Sequence, residues 1–379
     1  MTAAAGWSRF RARGPEQLAP TLGLFLVGFF LLPSSKSLNN VYYAAVLAPA
    51  LFLLRGRDWR WLAGSPLWRA AMLLLVYLTL SGLWSADFTV AAWLREAKGL
   101  PYVAVYVAVL ACVCARRPAA FAWLLRAVAV SAVVGTVVSA ALFYAKWPLT
   151  WRISYHGPLY QAVEAGTVLG SCLLLVLLHL LPASRAHWQQ ACWLAAAAVL
   201  FAGLVLTGSR TPLGAALLCL AVGLGLRRQW RWLAIVGTAT VLAGTLIAQT
   251  EAVRLALARG DSYRFTIWQH YLQRVADKPW LGEGVLADET TRLPPTPPDT
   301  EPMVIQHPHS VYLATALYGG VPALLMLLTA ALLALRQGRQ LAARGEPVWL
   351  VLLLFALLCM VTDGNRLLNA PRAIWFFFW

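Results

Sequence analysis

Residues able to do chemistry are sparse in this chain, and most sit at the edges of apolar runs. "VIQHPHSVYL" opens one such run with His307, Pro308, His309 and Ser310. The proline biases His307 toward extended backbone. Two histidines at i, i+2 on an extended segment can ligate zinc, with Asp299 or Glu301 as a third ligand. A histidine opening a helix at a membrane surface titrates near neutrality and can take a proton from a sugar hydroxyl. His309 and Ser310 can equally be the polar cap of the helix that follows. On the residues alone, metal site, base and helix lip all stay open.

A second set of residues is basic. "LTGSRTPLGAALL" places Arg210 before Thr211, a capping residue type, and Pro212, a first-turn residue. Free N–H groups at a helix start, beside a guanidinium, suit a phosphate or pyrophosphate. The alternative is a tight turn whose arginine snorkels to lipid headgroups. Arg152 in "WRISYHGPLY" and Arg264 and Arg274 in "RFTIWQHYLQR" belong to the same face in the topology below. Glu164 is a carboxylate within the apolar run "QAVEAGTVLGSCLL". Such a group marks a function or an ion pair, and pairing with an arginine is the first reading. The six cysteines lie in or beside apolar runs and read as small helix residues, with no disulfide framework.

The elements that must position these groups are membrane helices. The chain is 60% hydrophobic and 12% charged, where a soluble domain carries about 25% charged residues. The net charge of +16 therefore reflects topology, not nucleic acid. Apolar segments run roughly over 19–34, 39–54, 70–85, 99–115, 121–144, 161–182, 190–207, 211–226, 231–249, 309–335 and 347–362, and a short one closes the chain at 371–379. Arg9, Arg11 and Arg13 precede the first, which reads as a retained membrane helix. With that end inside, the short inner loops carry the excess of arginine, so the start of the chain is cytoplasmic.

The expected architecture is all-α: a polytopic integral membrane protein with about 12 transmembrane helices. Residues 1–249 hold helices 1–9, residues 250–308 form one large outer loop, and residues 309–379 hold the C-terminal helices. In the loop, Phe265, Trp268, Leu272 and Val275 recur at three- and four-residue spacing and predict an amphipathic surface helix. Asp261 or Ser262 would cap it, Gly282 and Gly284 would end it, and Arg264 and Arg274 lie on its other face. "TTRLPPTPPDTEP" reads as an extended proline-rich flap.

In this order and spacing, "TGSRTPLGA", "RFTIWQHYLQRVADKPWLGEG" and "HPHSVYLATALYGG" resemble the C-terminal half of the O-antigen ligase/O-antigen polymerase superfamily. The resemblance covers about residues 207–320. It implies a GT-C-like membrane glycosyltransferase that takes glycan from undecaprenyl diphosphate on the periplasmic face of the bacterial inner membrane. For a ligase, the acceptor is a sugar hydroxyl of lipid A–core, transfer inverts the anomeric carbon, and neither metal nor cofactor is needed. By this resemblance Arg210 and Arg264 bind the donor diphosphate and His309 activates the acceptor. His307, Ser310, Arg152, Arg274 and Glu164 are supporting candidates. Trp268, Pro279, Gly282 and Gly284 match positions that look structural. Two rivals share the superfamily, a polymerase of lipid-linked repeat units and a protein-directed oligosaccharyltransferase. A flippase of lipid-linked sugar is the rival from another class, and paired broken helices would favour it.

Overall fold

The computed structural model describes residues 14–248, 263–293, 303–364, 366–368 and 370–377. Arg9, Arg11, Arg13, Asp261, Ser262, Asp299, Glu301 and the centre of the proline-rich flap lie outside these residues. The chain is mostly helical. Among the described residues, six helices are long and apolar enough to cross a membrane. A seventh arises if Ser35–Leu53 and Gly56–Ala63, bent by 94°, count as one span. Three further apolar helices, Pro15–Leu31, Arg210–Leu226 and Val348–Thr362, are shorter, and Trp230–Ala248, with 19 residues, is apolar as well. By length and composition the described residues thus give six or seven spans, beside about 12 expected from the apolar runs.

Contacts divide the chain into two units. The first comprises Met1–Met72, Ala97–Leu213 and Leu368–Trp379, and the second Leu73–Glu96 and Gly214–Leu367.

In the first unit, the short apolar segment expected at 371–379 contains a short helix, Ala373–Phe377. Its Trp375 is fully buried. The indole meets Tyr42 at 5.2 Å and Tyr106 at 5.1 Å between ring centroids. Phe25 packs on the same Tyr42 ring at 5.2 Å. Protein rings, not lipid, surround this tryptophan.

The same unit holds a buried charge. Asp58 is fully buried, accepts from the Arg55 N–H at 2.9 Å and from Arg116 Nη2 at 2.6 Å. Arg116 Nη1 also reaches Glu16 at 3.2 Å. Asp58 therefore closes the N-terminus of Gly56–Ala63 and neutralises the end of Gly99–Arg116 at once. Asp58→Ala should lower the unfolding temperature of detergent-purified protein more than Glu16→Ala does. The first strips a buried, charge-assisted pair worth about 1.5–3 kcal/mol; the second removes a partly solvated one. Equal effects would show that Asp58 is not the anchor.

In the second unit the helix Val311–Ala343 breaks at Gly320, whose φ is 68°, two residues before Pro322. Proline has no N–H, and the break frees carbonyls that a straight helix would satisfy. The loop "KPWLGEG" supplies the donors. Glu283 N donates to Leu317 O at 2.7 Å and Gly284 N to Tyr318 O at 2.9 Å. Tyr77 OH donates to Gly319 O at 3.1 Å. In return Val321 N donates to Pro279 O at 2.7 Å. Gly282 and Gly284 have φ of 64° and 83°, which favours glycine. Ser81 and Ser85 accept from the next N–H groups, Val285 and Leu286, at 3.0 and 3.1 Å.

Residues Arg264–Asp277 form the expected loop helix. Ile267 and Tyr271 are its buried residues, while Phe265 and Leu272 of the apolar repeat are exposed. The helix thus has two apolar faces, one packed on protein and one open. One departure from an all-α fold is small. β1 (Thr291–Leu293) and β2 (Met303–Ile305) pair antiparallel, with Thr291 opposite Ile305 and Leu293 opposite Met303. The two ends of the proline-rich flap are therefore held side by side.

Candidate functional site

In the second unit Ser310 is the N-cap of Val311–Ala343, its Oγ accepting from Leu313 N at 3.5 Å. Ser310 is buried, and so its hydroxyl serves the helix start. His309 immediately precedes it with φ of 50°, a conformation uncommon outside glycine. His307 Nδ1 accepts from the His309 backbone N–H at 3.2 Å, and the two imidazole rings lie 4.0 Å apart. His307 therefore shapes the turn that presents His309.

The surroundings of His309 change the expectation of a near-neutral base. Burial, then His307, then the Arg264 guanidinium push its pKa down to about 4. At pH 7 the imidazole is neutral and held beside a fixed positive charge. It can accept a hydrogen bond from a hydroxyl. It takes the proton only as bonding to an electrophile makes that hydroxyl acidic.

Arg264 is the first residue of its helix and follows Tyr263, whose φ is 60°. Its charge also acts on Asp363. Asp363 ends the Val348–Thr362 helix. Burial pushes this carboxyl up to about 6, against the pull of the Gly364 N–H and of Arg264. Arg264, His307, His309 and Asp363 thus form one electrostatic cluster. Sequence reasoning missed Asp363. The available signal was a carboxylate directly after the apolar run "LLLFALLCMVTDG".

Arg274 has a different place. Its Nε and Nη2 grip Glu283 at 2.9 and 2.6 Å, and Nη2 also donates to Asp288 O at 2.8 Å. This bidentate pair binds the loop helix to the loop that docks at Gly320. A second anchor was also missed. Arg366 Nε donates to Glu289 Oε1 at 2.6 Å, its Nη1 reaches Glu96 at 3.4 Å, and its guanidinium lies 5.6 Å over the Tyr318 ring. Tyr271 OH donates to the Glu289 carbonyl. The Arg264 helix, through Tyr271, and the His309 helix, through Tyr318, thus share one anchor three residues beyond Asp363.

In the first unit the "TGSR" turn is closely organised. Gly208 has φ of 58° after the His187–Leu206 helix. Ser209, not Thr211, stands before the next helix, which begins at Arg210 and takes in Pro212. Ser209 O accepts from Leu213 N at 3.3 Å. Arg152 clasps the turn, Nε donating to Thr207 O at 2.8 Å and Nη2 to Ser209 Oγ at 3.2 Å. Ser209 Oγ donates to Ala162 O at 3.0 Å, which fastens the start of the next helix over. Glu164 is in the first turn of that helix and half-buried. Arg210 is exposed at a helix N-terminus, where dipole and guanidinium both favour an anion.

Two comparisons bear on what this arrangement does. A family model for O-antigen ligase matches residues 195–328, a stretch that contains Arg210, Arg264, Arg274, His307, His309 and Ser310. The chain is also 30% identical, over 377 residues, to an O-antigen ligase of Pseudomonas aeruginosa, covering 93% of this chain and 86% of that protein. Likeness of that extent shows that the chain belongs to the O-antigen ligase family.

Proposed function

We propose that this protein is an O-antigen ligase with a GT-C-like, many-span architecture. It transfers glycan from undecaprenyl diphosphate to a sugar hydroxyl of lipid A–core on the periplasmic face of the inner membrane, with inversion and without a metal. The observation that carries this reading is a neutral, half-buried His309 beside the Arg264 charge, in a chain of this family. An acceptor hydroxyl needs a proton acceptor, and a departing diphosphate needs cations. Arg264 and Arg210 supply guanidiniums to the diphosphate, which gains charge as the glycosidic bond breaks. The Asp363 carboxylate, by its charge, steadies Arg264 beside His309 for the reaction. Arg152 and Arg274 act indirectly, the first holding the turn before Arg210 and the second the loop behind Arg264. The exposed Phe265–Leu272 face of the loop helix suits the surface of a bilayer.

The test is transfer by purified protein in EDTA, with undecaprenyl diphosphate-linked glycan and either lipid A–core or a second donor as acceptor. Glycan appearing on lipid A–core supports ligation, and lengthened lipid-linked glycan would make the protein a polymerase. Arg210→Ala and Arg264→Ala should each lower transfer by about 10²–10³-fold, the range for removing one group that stabilises developing negative charge. Both variants should fold normally. Full activity in both would overturn the diphosphate role, and activity lost to EDTA would overturn metal independence.

A further inference from the structure

Helices Ala162–Ala183 and His187–Leu206 pack on each other and on Pro118–Tyr144 in the first unit. One end of this trio carries the Arg152–Ser209 turn. The Ala162–Ala183 helix has 22 residues and is about 33 Å long, the thickness of a bilayer core. At its far end the three helices enclose an open cleft of about 600 Å³, a volume typical of small-ligand sites. Its lining is polar at one end, with Arg126, His179, Ser184, Trp188 and Gln189, and apolar further along the helices, with Val130, Val134, Ala196 and Val199. Along the helices, 8 to 11 residues give a groove about 12–16 Å long.

Three features say what would fill it. The first is the division of its lining into a polar end and an apolar stretch, which matches a headgroup and an acyl chain. Charge is the second. Arg117, Arg126 and Arg185 lie at this end, and the acidic residue between positions 117 and 206 is Glu164, at the other end of the Ala162 helix. Asp58 and Glu16 also lie near this end but pair with Arg116, and Arg117, Arg126 and Arg185 leave it net positive, which attracts a negative headgroup. Backbone geometry is the third: His179 lies in a π-helical turn, Val176–Leu180. Such turns are rare and frequent at functional sites.

We propose that this cleft is a binding site for an anionic glycerophospholipid. One acyl chain lies along Val130, Val134, Ala196 and Val199, and the phosphate lies at Arg126 and His179. Trp188, 68% exposed, stands at the level of the headgroup, where indoles are favoured. The site is at the opposite end of the helices from the "TGSR" turn, so its occupant is not the glycan donor.

Full-length protein in a neutral maltoside detergent provides the test, with dioleoyl phosphatidylglycerol or dioleoyl phosphatidylcholine added and thermal unfolding and native mass spectrometry as readouts. Phosphatidylglycerol should raise the unfolding temperature and stay bound in the mass spectrum at about tenfold lower concentration than phosphatidylcholine. Arg126→Gln/His179→Gln should abolish that preference, and Ala196→Phe, which fills the groove and keeps both charges, should weaken binding of both lipids. Equal affinity for the two lipids in wild-type protein would overturn the proposal. So would binding unchanged in Ala196→Phe, or displacement of the bound phosphatidylglycerol by farnesyl diphosphate, which would give the cleft to the donor.

Discussion

His309→Ala should lower glycan transfer by about 10²–10⁴-fold, the usual contribution of a positioned proton acceptor, while the protein extracts and unfolds like wild type. His309 is held neutral by burial, His307 and Arg264, so its absence takes away an acceptor and leaves no stranded charge. His309→Gln separates two roles. Glutamine can accept a hydrogen bond but not the proton, so a variant within tenfold of wild type would make His309 an orienting group. His309→Ala at wild-type rate would remove it from the reaction altogether.

The pH profile carries the same argument further. His309 protonates only near pH 4, so an acid limb at the usual histidine value is not expected from it. Asp363, raised to about 6, should set the limb instead, with transfer rising as its carboxylate forms beside Arg264. Asp363→Asn should erase the limb near pH 6 and leave the rate flat, at the lowered level of the protonated carboxyl, down toward pH 4. A limb that persists in Asp363→Asn would assign it elsewhere. The stability signs are opposite for the two groups. The raised pKa of Asp363 favours the fold fully below about 3.8 and ceases to as pH climbs through 6. The depressed pKa of His309 favours it above about 6.5, and that contribution is lost as pH falls through 4.

Much of this was legible in the sequence, for reasons that differ by residue. Ser310 reads as a cap because a hydroxyl before an apolar run has one local use, and it caps. The loop helix is legible because its apolar period is local, and it runs from Arg264 to Asp277. What depends on distant chain is not legible. Thr211 and Ser209 are equally good capping types, and the choice of Ser209 goes with the Arg152 and Ala162 contacts, which sequence spacing does not show. The acidity of His309 depends on Arg264, 45 positions earlier in the numbering, and on burial. Arg274 reads as a free outer-face cation until Glu283 folds back onto it.

Gly320→Ala is the substitution that should most damage activity without touching a polar side chain. Its φ of 68° costs an alanine about 1–2 kcal/mol. The added Cβ would also stand 2.5 Å from Trp280 O and 2.6 Å from Pro279 O. Those are backbone atoms and cannot rotate away, so the "KPWLGEG" loop must lift off the helix. Lifting breaks the Glu283–Leu317, Gly284–Tyr318 and Val321–Pro279 hydrogen bonds, each worth about 1 kcal/mol net. Arg274–Glu283 and Tyr271–Glu289 tie the Arg264 helix to that same loop. Arg264 would therefore shift against His309, and a displacement of about 1 Å can cost about 10²-fold in rate. Gly225→Ala meets nothing within 4 Å and should be nearly silent. If Gly320→Ala transferred glycan as fast as Gly225→Ala, the docked loop would not be what sets the distance between arginine and histidine.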